Sequence, residues 1–126
     1  MSGIFLGSGR LVKSYDLLMK YFEKLRSMGV DPSNSYPRGE DLGEVKRLVE
    51  RGSIKSLEDA VRYLMEKFKP RVVSEAAVEA VKEVVGVEPS AEAATEQIAR
   101  LLALWTLEIG ESMGLIRIVG AEKYLR

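Results

Sequence analysis

Residues 91–113 read AEAATEQIARLLALWTLEIGESM, the longest uninterrupted helical pattern in the chain. Ala94, Ile98, Leu101, Trp105 and Ile109 follow one another at spacings of three or four, which aligns them on one face of a helix. Leu102, Leu104 and Leu107 widen that stripe, so the segment is apolar around much of its circumference. A helix of this kind is covered on several sides or keeps one side for another protein. We therefore expect a mainly α fold of about five helices with this long C-terminal helix at its centre. Leu104, Trp105 and Leu107 are the candidate interface residues, with a place in the core as the other reading of Trp105, the only tryptophan.

Working outward from that segment, Glu88-Pro89-Ser90 connects it to a preceding helix with Ser74 as cap, Val78, Val81 and Val85 facing inward, and Gly86 at its end. Upstream, Ser56 is placed to cap a helix carrying Leu57, Val61, Leu64 and Phe68, and Pro70 stops it. Asp41 with Glu44 makes a capping-box pattern before the stripe Leu42, Val45, Leu48 and Val49, which Gly52 ends. Leu11, Tyr15, Leu18, Phe22 and Leu25 form the first stripe, with Gly29 as its natural end. The loop between these two helices holds Pro32, Pro37 and Gly39, and Tyr36 is its exposed aromatic residue. Residues 1–10, with three glycines, are expected to be flexible, and residues 11–126 to form a single helical domain. After Gly114 the run Leu115-Ile116-Arg117-Ile118-Val119 is rich in β-branched residues. It predicts a small C-terminal β-hairpin, with continued helix as the alternative.

The 126 residues suit one domain, and 46% hydrophobic residues at zero net charge exclude a disordered chain. There is no cysteine and no histidine, which rules out disulfides, a thiolate nucleophile, an imidazole base and a zinc–thiolate site. Gly3, Gly7 and Gly9 do not form a dinucleotide fingerprint, and no Gly-Lys-Ser/Thr follows them. The carboxylate pairs Glu75/Glu79 and Glu92/Glu96 lack the histidine or Asp-rich loop of a metal site. No catalytic residue, metal or cofactor is expected. Asn34 and Gln97 are the only residues of their kinds, a depletion that suits a thermophile's protein when Lys, Arg and Glu are frequent. The apolar run Ile4-Phe5-Leu6 is too short for a signal peptide and no stretch approaches a membrane span, so a cytoplasmic protein is expected.

Charge is distributed unevenly. Residues 1–73 carry 14 basic and 10 acidic residues, whereas residues 74–112 carry 2 basic and 8 acidic. Lys67-Phe68-Lys69-Pro70-Arg71 is the strongest anion-binding candidate, with Lys46, Arg47, Arg51 and Lys55 as a second cluster and Arg117 and Lys123 in the tail. Such residues bind nucleic acid by neutralising phosphates. The competing reading is a solvated helix face whose basic last turn complements the helix dipole.

Residues 74–126 resemble a winged-helix domain. Val78 to Gly86 match the helix before the turn and Ala91 onward the recognition helix. Met113-Gly114-Leu115-Ile116-Arg117-Ile118-Val119-Gly120 matches the start of a wing that returns through Lys123-Tyr124-Leu125. This resemblance implies a DNA-binding transcriptional regulator. The chain departs from it in a recognition helix about ten residues too long, and in Glu92 and Glu96 standing where base-reading donors belong. The same stretch resembles a histone fold, with Leu107-Glu108-Ile109 in the long central helix and a shorter element from Gly120 to Leu125, but without basic loops. Ala94-Thr95-Glu96 through Leu101-Leu102 to Trp105 is similar to the terminal helix of small helical subunits of CRISPR effector complexes. That similarity implies a subunit of a nucleic-acid-handling assembly. The expected function is a non-enzymatic helical interaction protein with a protein partner or a second copy of itself, and with nucleic acid as a further partner in such an assembly. A winged-helix regulator and an enzyme of unrecognised type are the alternatives.

Overall fold

A computed structural model of the chain describes residues 9–114, with side chains from Asp16 onward. Five helices follow in order: α1 (Gly9–Ser27), α2 (Gly39–Glu50), α3 (Leu57–Phe68), α4 (Ser74–Val85) and α5 (Ala91–Ser112). Short 3-10 turns occupy Pro32–Ser35 and Lys69–Arg71. The expected mainly α architecture and the long fifth helix are thus present. No strand occurs among the described residues, so the winged-helix arrangement has no sheet to support it. The expected hairpin after Gly114 lies outside the described residues, as do the side chains of Leu11 and Tyr15 and the segment 1–8.

Several helix ends follow the local chemistry. The Ser56 hydroxyl accepts the Asp59 N–H and the Ser90 hydroxyl accepts the Ala93 N–H, both at 3.1 Å. At the end of α1, Gly29 takes a positive φ of 78°, which lets the Val30 N–H return to the Leu25 carbonyl at 2.9 Å.

Two caps differ from expectation. Helix α2 begins at Gly39 rather than beyond Asp41, so Asp41 lies inside the first turn and is 1% exposed, buried as an ion-pair partner. Helix α4 begins at Ser74 itself, with Val73 in the cap position. A serine caps from an extended backbone one residue before the helix, and Ser74 is already helical. Its hydroxyl instead accepts a hydrogen bond from Thr95 of α5 at 3.2 Å, and the Tyr21 hydroxyl of α1 accepts the Val73 N–H at 3.0 Å.

Helix α5 is the central element. It packs on α1, α3 and α4, and α1 packs in turn on α4. The buried residues of α5 are Ala94, Ile98, Ala99, Leu102, Ala103, Thr106, Leu107 and Gly110. This face is rotated away from the expected line, which leaves Leu101, Trp105 and Ile109 half-buried. The expected line followed the largest apolar side chains, whereas close helix contact favours small ones that let backbones approach. Helix α4 shows the same effect: Ala76, Ala77, Ala80 and Val81 face inward, while Val85, expected inward, is 57% exposed. The buried Thr106 hydroxyl is satisfied by donating to the Leu102 carbonyl at 2.8 Å.

Ile98→Ala should lower stability by about 2–5 kcal/mol, because it leaves a cavity in a close-packed centre. Val85→Ala should change it by less than about 0.5 kcal/mol. Urea denaturation of both variants checks the rotation of α4, with Ile98→Ala as the buried reference; equal costs would contradict it.

Candidate interaction groove

The loop after α1 is ordered by local bonds. Asp31 accepts the Ser33 N–H at 3.0 Å, which lowers the Asp31 pKa and sets the 3-10 turn at Pro32–Ser35. The turn delivers Tyr36 onto α1 and α5. Its ring meets Phe22 edge-on at 5.4 Å between centroids and Trp105 edge-on at 5.7 Å. Phe22 and Trp105 lie 5.8 Å apart, so the three rings form one cluster in geometries that aromatic quadrupoles favour.

Around this cluster opens a groove of about 900 Å³. Leu18, Phe22, Leu42, Trp105 and Ile109 line it, and Met19 and Met113 stand beside it at 60% and 64% exposure. Arg26 and Arg38 also line it, and none of its described lining residues is acidic. Arg26 has no ion pair among the described residues, and Arg38 makes only long contacts, to Glu40 at 3.8 Å and to the Asn34 carbonyl at 3.5 Å.

Of the expected interface residues, Trp105 lies in the groove. Leu107 is in the core, and Leu104 packs against the core outside the groove. Met19, Met113 and Arg26 were not legible as site residues. They belong to surfaces of separate helices, and only the packing of α1 beside α5 brings them together.

The expected nucleic-acid residues divide sharply. Arg71 forms a two-point pair with the buried Asp41 carboxylate at 3.2 and 3.4 Å, and its guanidinium lies 5.2 Å from the Phe68 ring centre. Lys67 donates to Glu44 at 2.7 Å, and Tyr63 donates to the same oxygen. Arg47 reaches the other Glu44 oxygen at 3.0 Å, and Lys69 pairs with Glu66 at 3.1 Å. The hydrogen bonds from Lys67 and Tyr63 hold the Glu44 pKa down at about 2, and the bond to Glu44 raises that of Lys67. Burial, with Glu44 adding to it, pushes the Tyr63 hydroxyl up. Lys46, Arg51 and Lys55 are exposed without an ion pair among the described residues, and Arg117 and Lys123 lie outside them. The partners of Arg71 and Lys67 stand 30 and 23 residues away, beyond the reach of any local sequence signal.

Glu92 and Glu96 line a small cleft of about 310 Å³ together with Lys69, Ser74 and Thr95. No group of three metal-ligating side chains occurs among the described residues, and no described helix is long and apolar enough to cross a membrane. No protein-family model matches this chain, and neither a curated protein nor a solved structure matches it.

Arg71→Ala should destabilise the fold by about 3–5 kcal/mol, because it strands the buried Asp41 charge, while Lys46→Ala and Lys55→Ala stay within about 0.5 kcal/mol. Chemical denaturation reads all three. A second test uses pH. The folded pKa of Glu44 is depressed from its ordinary 4.5 to about 2. Its contribution is therefore present above about pH 4.5 and is lost as pH falls through about 2. Thermal melts of wild type and Glu44→Gln should differ near neutral pH and converge towards pH 2.

Proposed function

We propose that this chain is a non-enzymatic helical interaction protein that holds another protein in the groove between α1, the Tyr36-Pro37-Arg38 segment and α5. One observation carries this reading: an open apolar groove stands over a cluster of three packed aromatic rings. A concave apolar surface with a few cationic groups at its edge is the form that binding sites take. Its base is rigid, since Phe22 is buried in the core and Trp105 belongs to the central helix. The methionines at its side are flexible and polarizable, which suits adaptable contact with a partner.

No carboxylate, serine or threonine lines the groove among the described residues, so it offers no nucleophile–base pair. The acids with lowered pKa, Asp31, Glu44 and Glu83, are engaged in local hydrogen bonds and ion pairs elsewhere. These points favour contact over catalysis. The winged-helix regulator gains no support, with no described strand and with Glu92 and Glu96 in the first turns of α5.

Membership of a nucleic-acid-handling assembly is a second reading, favoured by Lys46, Arg51 and Lys55, which are exposed and have no ion pair among the described residues. Three phosphate contacts would give a salt slope near −3, about a third of that of a nine-residue site. Charge reversal at these three positions should then abolish any binding of a mixed-sequence duplex at about 50 mM salt.

The first reading is tested by light scattering after size exclusion, on wild type and Ile109→Arg purified from the cells that naturally make the protein. Wild type should show a mass above the 14.0 kDa of one chain, and the variant should fall to that mass with its melting temperature kept. A wild-type protein that runs as a single chain throughout would remove the reading.

A further inference from the structure

We propose that the partner segment held in the groove is an amphipathic helix whose apolar face is flanked by carboxylates. This inference rests on the reading of the groove as an interaction surface, and adds the chemistry of what fills it.

Two rows of side chains border the groove. Leu18, Phe22 and Arg26 of α1 follow one another at intervals of four, and so do Trp105 and Ile109 of α5, with Met113 just beyond its end. Rows at this interval are the ridges by which helices pack, and the space between two such ridges receives the ridge of a third helix. A helix laid between them would use apolar residues at i, i+3 or i+4, and i+7, as in helix-in-groove recognition. The open side of the groove argues against a small apolar ligand. Pockets for such ligands bury about 70–90% of the ligand surface, whereas here Met19 and Met113 stand mostly in solvent.

The α1 row changes from apolar to cationic at Arg26, and Arg38 lines the same groove. No described lining residue opposes them, and the Arg38–Glu40 contact is a long, exposed pair that contributes little. Guanidinium groups bind carboxylates with two parallel hydrogen bonds, and at the edge of an apolar surface they discriminate against a basic segment. The groove therefore selects for Asp or Glu beside the apolar face of its partner.

Phage carrying random tryptophan-free peptides of about 16 residues, a little over four helical turns, are selected on the full chain. The selected peptides are then titrated against it. Trp105 is the only tryptophan, so its emission reports directly on the groove. The expected outcome is peptides with helical apolar spacing and flanking Asp or Glu that shift Trp105 emission to the blue. Replacing those acids by lysine should weaken binding about tenfold or more, and Arg26→Glu/Arg38→Glu should reverse that preference. Should the double reversal melt below wild type, Arg26→Gln/Arg38→Gln takes its place, with the preference lost instead of reversed. Peptides that bind in the groove without preferring acids overturn the proposal and leave the interaction surface standing. If no peptide binds, or all bind Ile109→Arg equally well, the proposal fails, and the light-scattering comparison decides separately whether the groove docks anything. A Trp105 shift produced only by dodecanoate would assign the groove to a small apolar acid. A shift produced only by raising the protein concentration would assign it to a second copy of this chain. Either result overturns the proposal.

Discussion

The inner face of α5, running from Ala94 through Ala99, Ala103 and Thr106 to Gly110, is built largely of small residues. Its larger members, Ile98, Leu102 and Leu107, are buried with them. Helices α1, α3 and α4 all pack on α5, and that shared contact orders the rest of the molecule. Helix α4 answers with three alanines of its own. Dense packing leaves little tolerance for added volume in such a centre, so the small side chains matter as much as the large ones.

Helix α2 is held differently. Only Leu42, Val45 and Asp41 are buried from it, and charge adds what apolar area does not supply. Asp41 reaches Arg71 in the turn after α3, and Glu44 reaches Tyr63 and Lys67 on α3 itself. The two clasps bind α2 to the end of α3. They also occupy two of the three cations in the most basic stretch of the chain, and Lys69, in the turn after α3, is paired with Glu66 in that helix's last turn. Positive charge that looks available along the sequence is mostly spent within the fold. A buried pair such as Asp41–Arg71 adds little net stability over an apolar equivalent, but losing one partner is costly.

The groove is the counterpart of the same packing. The described helices close around the small-residue face of α5, while on the opposite side Trp105 meets only Phe22 of α1 and Tyr36 of the loop in ring contacts among the described residues. That loop covers part of the side through ring contacts, and the remainder stays open between α1 and α5. Arg26 there has no ion pair among the described residues and Arg38 only a long, exposed one to Glu40, unlike the closely paired cations on the α2–α3 side. Apolar surface next to weakly compensated positive charge distinguishes this region among the described residues.

The sequence by itself determined the helical class, the five helices and most of their ends. Apolar residues three and four apart, capping serines at 56 and 90, and glycines at 29 and 86 act within one or two turns, where the chain reads its own chemistry. Tertiary structure alone decided which side of α4 and α5 is buried, because small residues prevail at close helix contacts and their contribution is invisible to a count of large apolar side chains. It alone decided that Lys67 and Arg71 are structural, because their acids approach from a helix more than 20 residues away. It alone assembled the groove, since Met19, Arg26, Tyr36 and Ile109 share nothing in sequence and meet only when α5 has been enclosed by its neighbours.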